Sequence, residues 1–205
     1  MSLHRRDIID ILRDENDLLK TRNGQLGTRL ARMQLAFRAL NQIDDLTSHI
    51  DEQTDLSELF RELLQLVLHA SDTEHGSLLL LDERSAELQF VEVVGDTRDR
   101  LLNHRIDRFT GIVGQCLKLD RPVLVEDVRR SIDWSPEVDQ LIGFSTLSVL
   151  CAPLRDGERQ LGVLEVVNQQ GERPFDKNDL AVLRVAAHYV SLALKKAEQL
   201  ARMMQ

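Results

Sequence analysis

This sequence is poor in the residues that build covalent or metal-held scaffolds. It has two cysteines, Cys116 and Cys151, in 205 residues. Two are too few for a disulfide framework or a cysteine zinc site, and free cysteine is usually a buried apolar residue. Basic charge is also short: 26 Lys and Arg stand against 34 Asp and Glu, a net charge of −8. That balance argues against a general nucleic-acid binder, whose phosphate contacts need clustered Lys and Arg. It disfavours an anionic membrane surface for the same reason. No apolar run approaches the ~18–20 residues needed to cross a bilayer. The opening "MSLHRRDIIDILRDEN" puts charge into every turn, unlike a secretory leader. These absences predict a cytoplasmic protein with neither a nucleic-acid nor a membrane partner.

The chemistry of common active sites is missing as well. His69, His75, His104 and His188 are dispersed, without metal-ligand spacing, and read as surface or packing residues. There is no Ser-His-Asp arrangement, nucleotide-triphosphate loop or paired acid. No catalytic residue, metal ligand or cofactor is therefore assigned, and a non-enzymatic protein is expected.

What is present begins with a 42% hydrophobic content, enough for one cored domain with an appendage. Residues 1–43 contain no proline and no strand-like run. Leu12, Leu19, Leu26, Met33 and Leu40 recur every seven residues at d positions, with Ile9, Asn16, Asn23, Leu30 and Phe37 at a. This is a short heptad stripe. An Asn at a is costly alone but pairs with a facing Asn in a parallel dimer and fixes its register. Leu12, Asn16, Leu19, Asn23, Leu26, Leu30 and Met33 are the expected dimerisation residues. The alternative is a helix packed on its own domain with the Asn side chains in water. Gly24 and Gly27 count against the parallel dimer, since each costs a helix about 1 kcal/mol.

Residues 44–205 form the second region. After a break near residues 47–53, Leu56, Leu59, Phe60, Leu63, Leu66, Val67 and Ala70 make one helix face, with Asp55 as N-cap. "GSLLLLD" and "LQFVEVVG" around "ERSAE" predict a hairpin. Residues 96–110 read as a polar loop, "GIVGQCLKL" as a short helix and "RPVLVEDV" as a strand begun by proline. Residues 129–145 read as a loop with a short helix. "TLSVLCAPL" and "RQLGVLEVVN" flank an Asp-Gly turn. A long helix follows from about Lys177 to Met203, with Leu180, Leu183, Ala187, Val190, Leu194 and Ala197 on one stripe. The order predicts an α+β fold: an antiparallel sheet with helices packed on one face, preceded by a long N-terminal coiled-coil helix.

The succession "GSLLLLD", "GIVGQCLKLDRPVLVEDV", "GFSTLSVLCAPLRDGERQLGVLEVVNQ" and "PFDKNDLAVL" resembles the GAF domain family, over roughly residues 50–198. The family comprises small-molecule sensing modules of phosphodiesterases, adenylyl cyclases, phytochromes and transcription activators. The resemblance implies a ligand site on the sheet face opposite the long helices, under loops between strands two and five. It places Ser77, Ile112, Val113, Ser135, Asp139, Thr146 and Glu165 around a ligand. Val93 falls where nucleotide-binding members carry a stacking aromatic, so it offers an apolar wall without a ring. The Arg129–Arg130 pair is the one obvious basic group for a phosphate. Gly111 and Gly114 open a helix that could receive an anion or simply make a glycine-bearing turn. Trp134, beside Pro136, could close a lid.

Nucleotide-binding members also carry an Asn-Lys, then a Phe, three residues and Asp-Glu. Asn168, Phe175 and Asp179 match; Gln169 and Leu180 replace the Lys and the Glu. Gln169 could give Asp179 only a neutral hydrogen bond. Capping offers a second reading: Asp176 as N-cap, Asp179 at N3, and Phe175 with Leu180 as a hydrophobic staple. Only Asn168 then lacks a local reason. Bilin-binding relatives use a cysteine beside a His, and sulfoxide reductases of this fold use a cysteine set; neither pattern is present.

The sequence thus predicts a sensor that couples a small ligand to helix packing in a parallel homodimer and signals to a partner protein. A ligand-free dimerisation scaffold is the alternative. A cyclic-nucleotide-binding or redox domain ranks below both. The ligand and any cofactor stay unknown.

Overall fold

The computed structural model describes residues 2–134, 136, 139–140, 143–169 and 174–203, with no side chains described for residues 2–7 and 201. By contacts the chain divides into two compact units, Met1–Leu35 and Ala36–Gln205. No helix among the described residues is long and apolar enough to cross a membrane.

The first unit is helical and belongs to α1, Ser2–Ser48. Gly24 and Gly27 do not interrupt it. Every described side chain from residue 8 to 31 is exposed. Leu12 is 58% exposed and Leu26 54%, and Asn16 and Asn23 share the open surface. The a and d side chains between residues 8 and 31 are all exposed, whereas Leu40, the last d position, packs against the core of the second unit. Helices owe most of their stability to packing of such a face.

The second unit begins inside the last turns of α1, where Ala36, Ala39 and Ile43 are buried. After a break, α2 runs Leu56–Ser71. Asp55 caps it as predicted, its carboxylate accepting from Ser57 N at 2.8 Å and Glu58 N at 3.3 Å. The strands are β1 (Thr73–Asp82), β2 (Glu87–Val94), β3 (Arg105–Asp107), β4 (Val123–Val125), β5 (Val149–Asp156) and β6 (Arg159–Gln169). They form one six-stranded sheet in the order β3-β2-β1-β6-β5-β4, every neighbouring pair antiparallel. Short helices α3 (Arg98–Leu101) and α4 (Gly111–Leu119) lie in the β2–β4 crossover, and α5 spans Lys177–Met203. The fold is the antiparallel α+β layer expected.

Two elements escaped the sequence. Residues 96–110 contain α3 and edge strand β3, which pairs with β2 through Ile106↔Leu88. Four and three residues are too few to show a period, and Arg105 and Asp107 make β3 look like loop. Charge on an edge strand discourages pairing with another chain.

Side chains alternate across the sheet. Leu78, Leu150, Ala152, Leu154, Leu164 and Val166 point to one face and pack with Leu63, Val67, Leu183, Ala187 and Val190 of α2 and α5. Leu79, Phe90, Val93, Val149, Cys151 and Val163 form the other face with Ile112, Val113 and Cys116 of α4. Both faces of β1 are covered, which is why "LLLL" shows no alternation. The β5–β6 hairpin turns at Gly157, whose φ of +62° suits glycine. It is tied to α5 by Lys195–Asp156 at 2.6 Å and by Arg159, which reaches Glu198 at 2.7 Å and Glu83 at 2.6 Å. Lys196 Nζ donates to Ser48 O at 2.9 Å, placing a cation at the carbonyl end of α1.

Candidate functional site

A cavity of about 100 Å³ lies on the sheet face opposite α2 and α5. Its floor is Ser77 of β1, Phe90 and Val93 of β2, Val149 of β5, and Glu165 and Val167 of β6. Ile112 and Val113 of α4 form one wall, and Trp134, Asp139, Phe144 and Thr146 close it before β5. Seven of the residues expected around a ligand therefore line one cavity: Ser77, Val93, Ile112, Val113, Asp139, Thr146 and Glu165. Ser135 lies outside the described residues.

The polar groups of the cavity are paired across the sheet and the lid. Ser77 and Glu165 face each other on β1 and β6, and Ser77 Oγ donates to Glu165 Oε2 at 2.9 Å. Cys151 Sγ lies 3.9 Å from Glu165 Oε1. Burial pushes the Glu165 carboxyl above its ordinary value; the Ser77 hydrogen bond opposes this and the nearby Asp139 charge adds to it. Asp139 accepts from Thr146 N at 2.8 Å and from Thr146 Oγ1 at 2.7 Å. This bidentate clasp folds the lid back onto the start of β5.

Of the cavity's aromatic surface, the sequence marks only Trp134, as a lid residue. Val93 is a plain apolar wall, as expected, but Phe90, Trp134 and Phe144 supply rings. His75, read from sequence as a surface or packing residue, stands in the cavity wall. Its ring meets Phe144 edge-on with centroids 5.1 Å apart. A histidine at one end of a buried strand gave the only signal for it, and that signal is weak. Arg129 and Arg130 do not line the cavity. Arg129 forms a fork with Asp127 at 2.8 and 3.0 Å. Gly114 is explained by packing: a Cβ there would sit 2.3 Å from the Phe109 carbonyl carbon. The thiols are sealed. Burial pushes Cys116 up to about 12 and Cys151 well above its ordinary value, so neither is a nucleophile at neutral pH.

Asn168, Gln169, Asp176 and Asp179 each have a structural role. Asp176 Oδ1 accepts from Asn178 N at 2.6 Å and Asp179 N at 3.1 Å, and Asp179 Oδ2 accepts from Asp176 N at 2.8 Å. This is a reciprocal capping box with buried Phe175 preceding it. Gln169 does not serve Asp179; its amide donates to Ser71 O at 3.1 Å. Asn168 has the role that sequence could not supply. At φ +51°, one residue before the end of β6, it accepts from Leu147 N at 2.7 Å and donates to Ser145 O at 2.7 Å. It replaces missing ladder bonds at the point where the lid enters β5.

Comparison with known proteins agrees with this architecture. The family model described as GAF domain matches residues 53–195. The chain is 25% identical over 164 residues to dual 3',5'-cyclic-AMP and -GMP phosphodiesterase 11A of Takifugu rubripes, covering 75% of this chain and 18% of that protein. It is 23% identical over 185 residues to the phosphodiesterase 11 of Drosophila melanogaster, covering 80% and 13%. The chain thus spans less than a fifth of these curated relatives. Among solved structures, the GAF domain of a phosphoenolpyruvate-protein phosphotransferase from Coxiella burnetii superposes with a TM-score of 0.69 at 17% identity, covering 84% of this chain and 99% of that one. A free methionine-R-sulfoxide reductase from Neisseria meningitidis, in complex with its substrate, gives 0.67 at 23% identity, covering 82% and 92%.

Proposed function

This chain belongs to the GAF domain family, and from that premise we propose that it is a regulatory, non-catalytic module of the cytoplasm that couples a small ligand to helix packing in a parallel homodimer. The observation that carries the reading is the shared floor. Cavity residues and helix-contacting residues alternate on the same strands: Val149 against Leu150 on β5, Glu165 against Leu164 and Val166 on β6. A ligand that prefers one position of these strands biases the helices behind them by its difference in affinity for the two arrangements. The uncovered a and d stripe of α1 supplies the pairing surface, and the coiled-coil segment (residues 1–43) leads into the sensing domain (residues 44–205). A partner protein would read the paired helices.

The cyclic-nucleotide reading has less support. The matching Asn168, Phe175 and Asp179 are occupied by clamp and cap. A ligand-free scaffold would keep the dimer and ignore the cavity. Light scattering on the full chain separates these readings in part. A dimer is expected, and replacing Leu19→Asp with Leu26→Asp should give monomers that keep their fold. A monomeric parent would end the pairing idea. Hydrogen exchange in Val93→Phe, which puts a ring into the cavity, tests coupling: altered protection in α5 supports it, and protection changed only around the cavity favours the scaffold.

A further inference from the structure

The cavity carries charge of one sign. Glu165 and Asp139 face into it, and among the described residues no Lys or Arg lines it. The two carboxylates are not equally served. Asp139 has both oxygens taken by Thr146. Glu165 has Ser77 on Oε2, while Oε1 has only the Cys151 thiol at 3.9 Å, a weak and distant donor. A carboxylate buried this way is stable only if it binds a proton or gains a cation. His75 is the one basic side chain in the lining, and it is turned elsewhere. Its ring edge meets Phe144, its buried Nδ1 has no hydrogen-bond partner, and a Cβ on Gly95 would strike that nitrogen. No ion pair joins it to either carboxylate among the described residues. The remaining wall is apolar or aromatic, with Phe90, Trp134 and Phe144 offering ring surface that attracts cations.

Size narrows the ligand further. A closed apolar cavity of about 150 Å³ accepts one benzene, six heavy atoms, so about 100 Å³ encloses roughly four on that scale, and the open side of this cavity leaves room for one or two more. A cyclic nucleotide is several times larger. Its phosphate would also enter a site with two carboxylates and no lining Lys or Arg.

We propose that this cavity is a receptor for a small organic monocation, a primary amine of about four to six heavy atoms, whose ammonium group donates to Glu165 Oε1 while its alkyl part lies among Val93, Val149 and Phe144. The proposal rests on the reading that the cavity takes a ligand at all. The same site rejects carboxylates and phosphates, because a buried like charge is strongly disfavoured.

The test uses the full-length chain and n-butylammonium chloride, with butan-1-ol, sodium butyrate and 3',5'-cyclic AMP as matched probes. Trp134 is the only tryptophan and lines the cavity, so its fluorescence reports occupancy directly, beside calorimetry. Butylammonium should saturate the site with a dissociation constant on the order of millimolar or tighter, fitting for so few atoms. The alcohol should bind at least about tenfold more weakly, and butyrate weaker still. Glu165→Gln should cost the amine about tenfold or more while leaving the alcohol unchanged. Equal binding of amine and alcohol, or an amine affinity untouched in Glu165→Gln, would overturn the assignment. Should that variant fail to fold, the amine-to-alcohol ratio on the parent chain decides alone. Saturation by cyclic AMP without amine binding would sink the monocation and leave the sensing function standing. No response to any of the four probes would remove both.

Discussion

The two faces of the sheet are made from the same six strands yet are built to different standards. Behind it, aliphatic side chains of β1, β5 and β6 interdigitate with α2 and α5, and the buried Ser191 hydroxyl of α5 among them accepts from Arg155 N at 3.0 Å. In front, the same strands carry Ser77, Cys151 and Glu165 beneath a lid that keeps a cavity open. A well-packed face resists change because interiors are close-packed. A face with a void and a buried carboxyl gives up some stability and gains room for a guest. The contrast teaches that function here is placed by a period of two: moving a residue one position along a strand moves it from scaffold to site.

The sharpest way to break the comparison is to remove the same group from each side. Leu164→Ala, behind the sheet and 1% exposed, should cost about 3–5 kcal/mol, since a close-packed site cannot collapse around the loss. Leu101→Ala, against the cavity, should cost roughly 2 kcal/mol or less, because part of its surroundings is already empty. Urea unfolding of both variants measures the difference. Equal losses would mean the cavity side is packed as tightly as the helix side.

A pH scan sharpens it next. Burial holds the Glu165 carboxyl above its ordinary value of 4.5, so the folded chain keeps a proton that the unfolded chain releases. The associated stability is present below that ordinary value and is lost as pH rises through the raised one. Glu165→Gln removes the linkage. The variant should match the parent in melting temperature near pH 4 and exceed it at pH 8. A parent that melts no lower than the variant at pH 8 would contradict the buried carboxyl.

The smallest effect belongs to the rim of the sheet. Asp82 is held at about 2, chiefly by the Arg105 hydrogen bond and then by backbone donors at Arg84 and Ser85. Its contribution is present above 3.8 and disappears as pH falls toward 2. Asp82→Asn should melt slightly below the parent at neutral pH and converge with it as pH falls toward 2. The pair is exposed and screened, so only a slight change is expected.

Much of this was legible in the sequence, and the limits have physical causes. Strong periods and caps announced α2, α5, the two hairpins and α4, because a helix or strand of eight residues or more repeats its pattern enough to be counted. α3 and β3 were too short for that. The seven cavity residues were reached through family resemblance rather than through their own chemistry, since Ser77 and Glu165 are neighbours only after β1 and β6 pair. Phe90, Phe144 and His75 were missed because no local pattern distinguishes a ring that lines a void from one that fills a core. Asn168 looked like an ordinary polar strand end; its partners, Ser145 and Leu147, are more than twenty residues upstream.

The pairing of β1 with β6 at the centre of the sheet has a kinetic consequence. Ser77 meets Glu165 across this seam, so the strands that must join are among the most distant along the second unit. Closing so long a loop before any ladder bond rewards it makes the seam a slow, high-contact-order step. The carboxyl and the hydroxyl that face the guest come from opposite sides of that seam. Competence to bind and completion of folding should therefore rise with one rate constant.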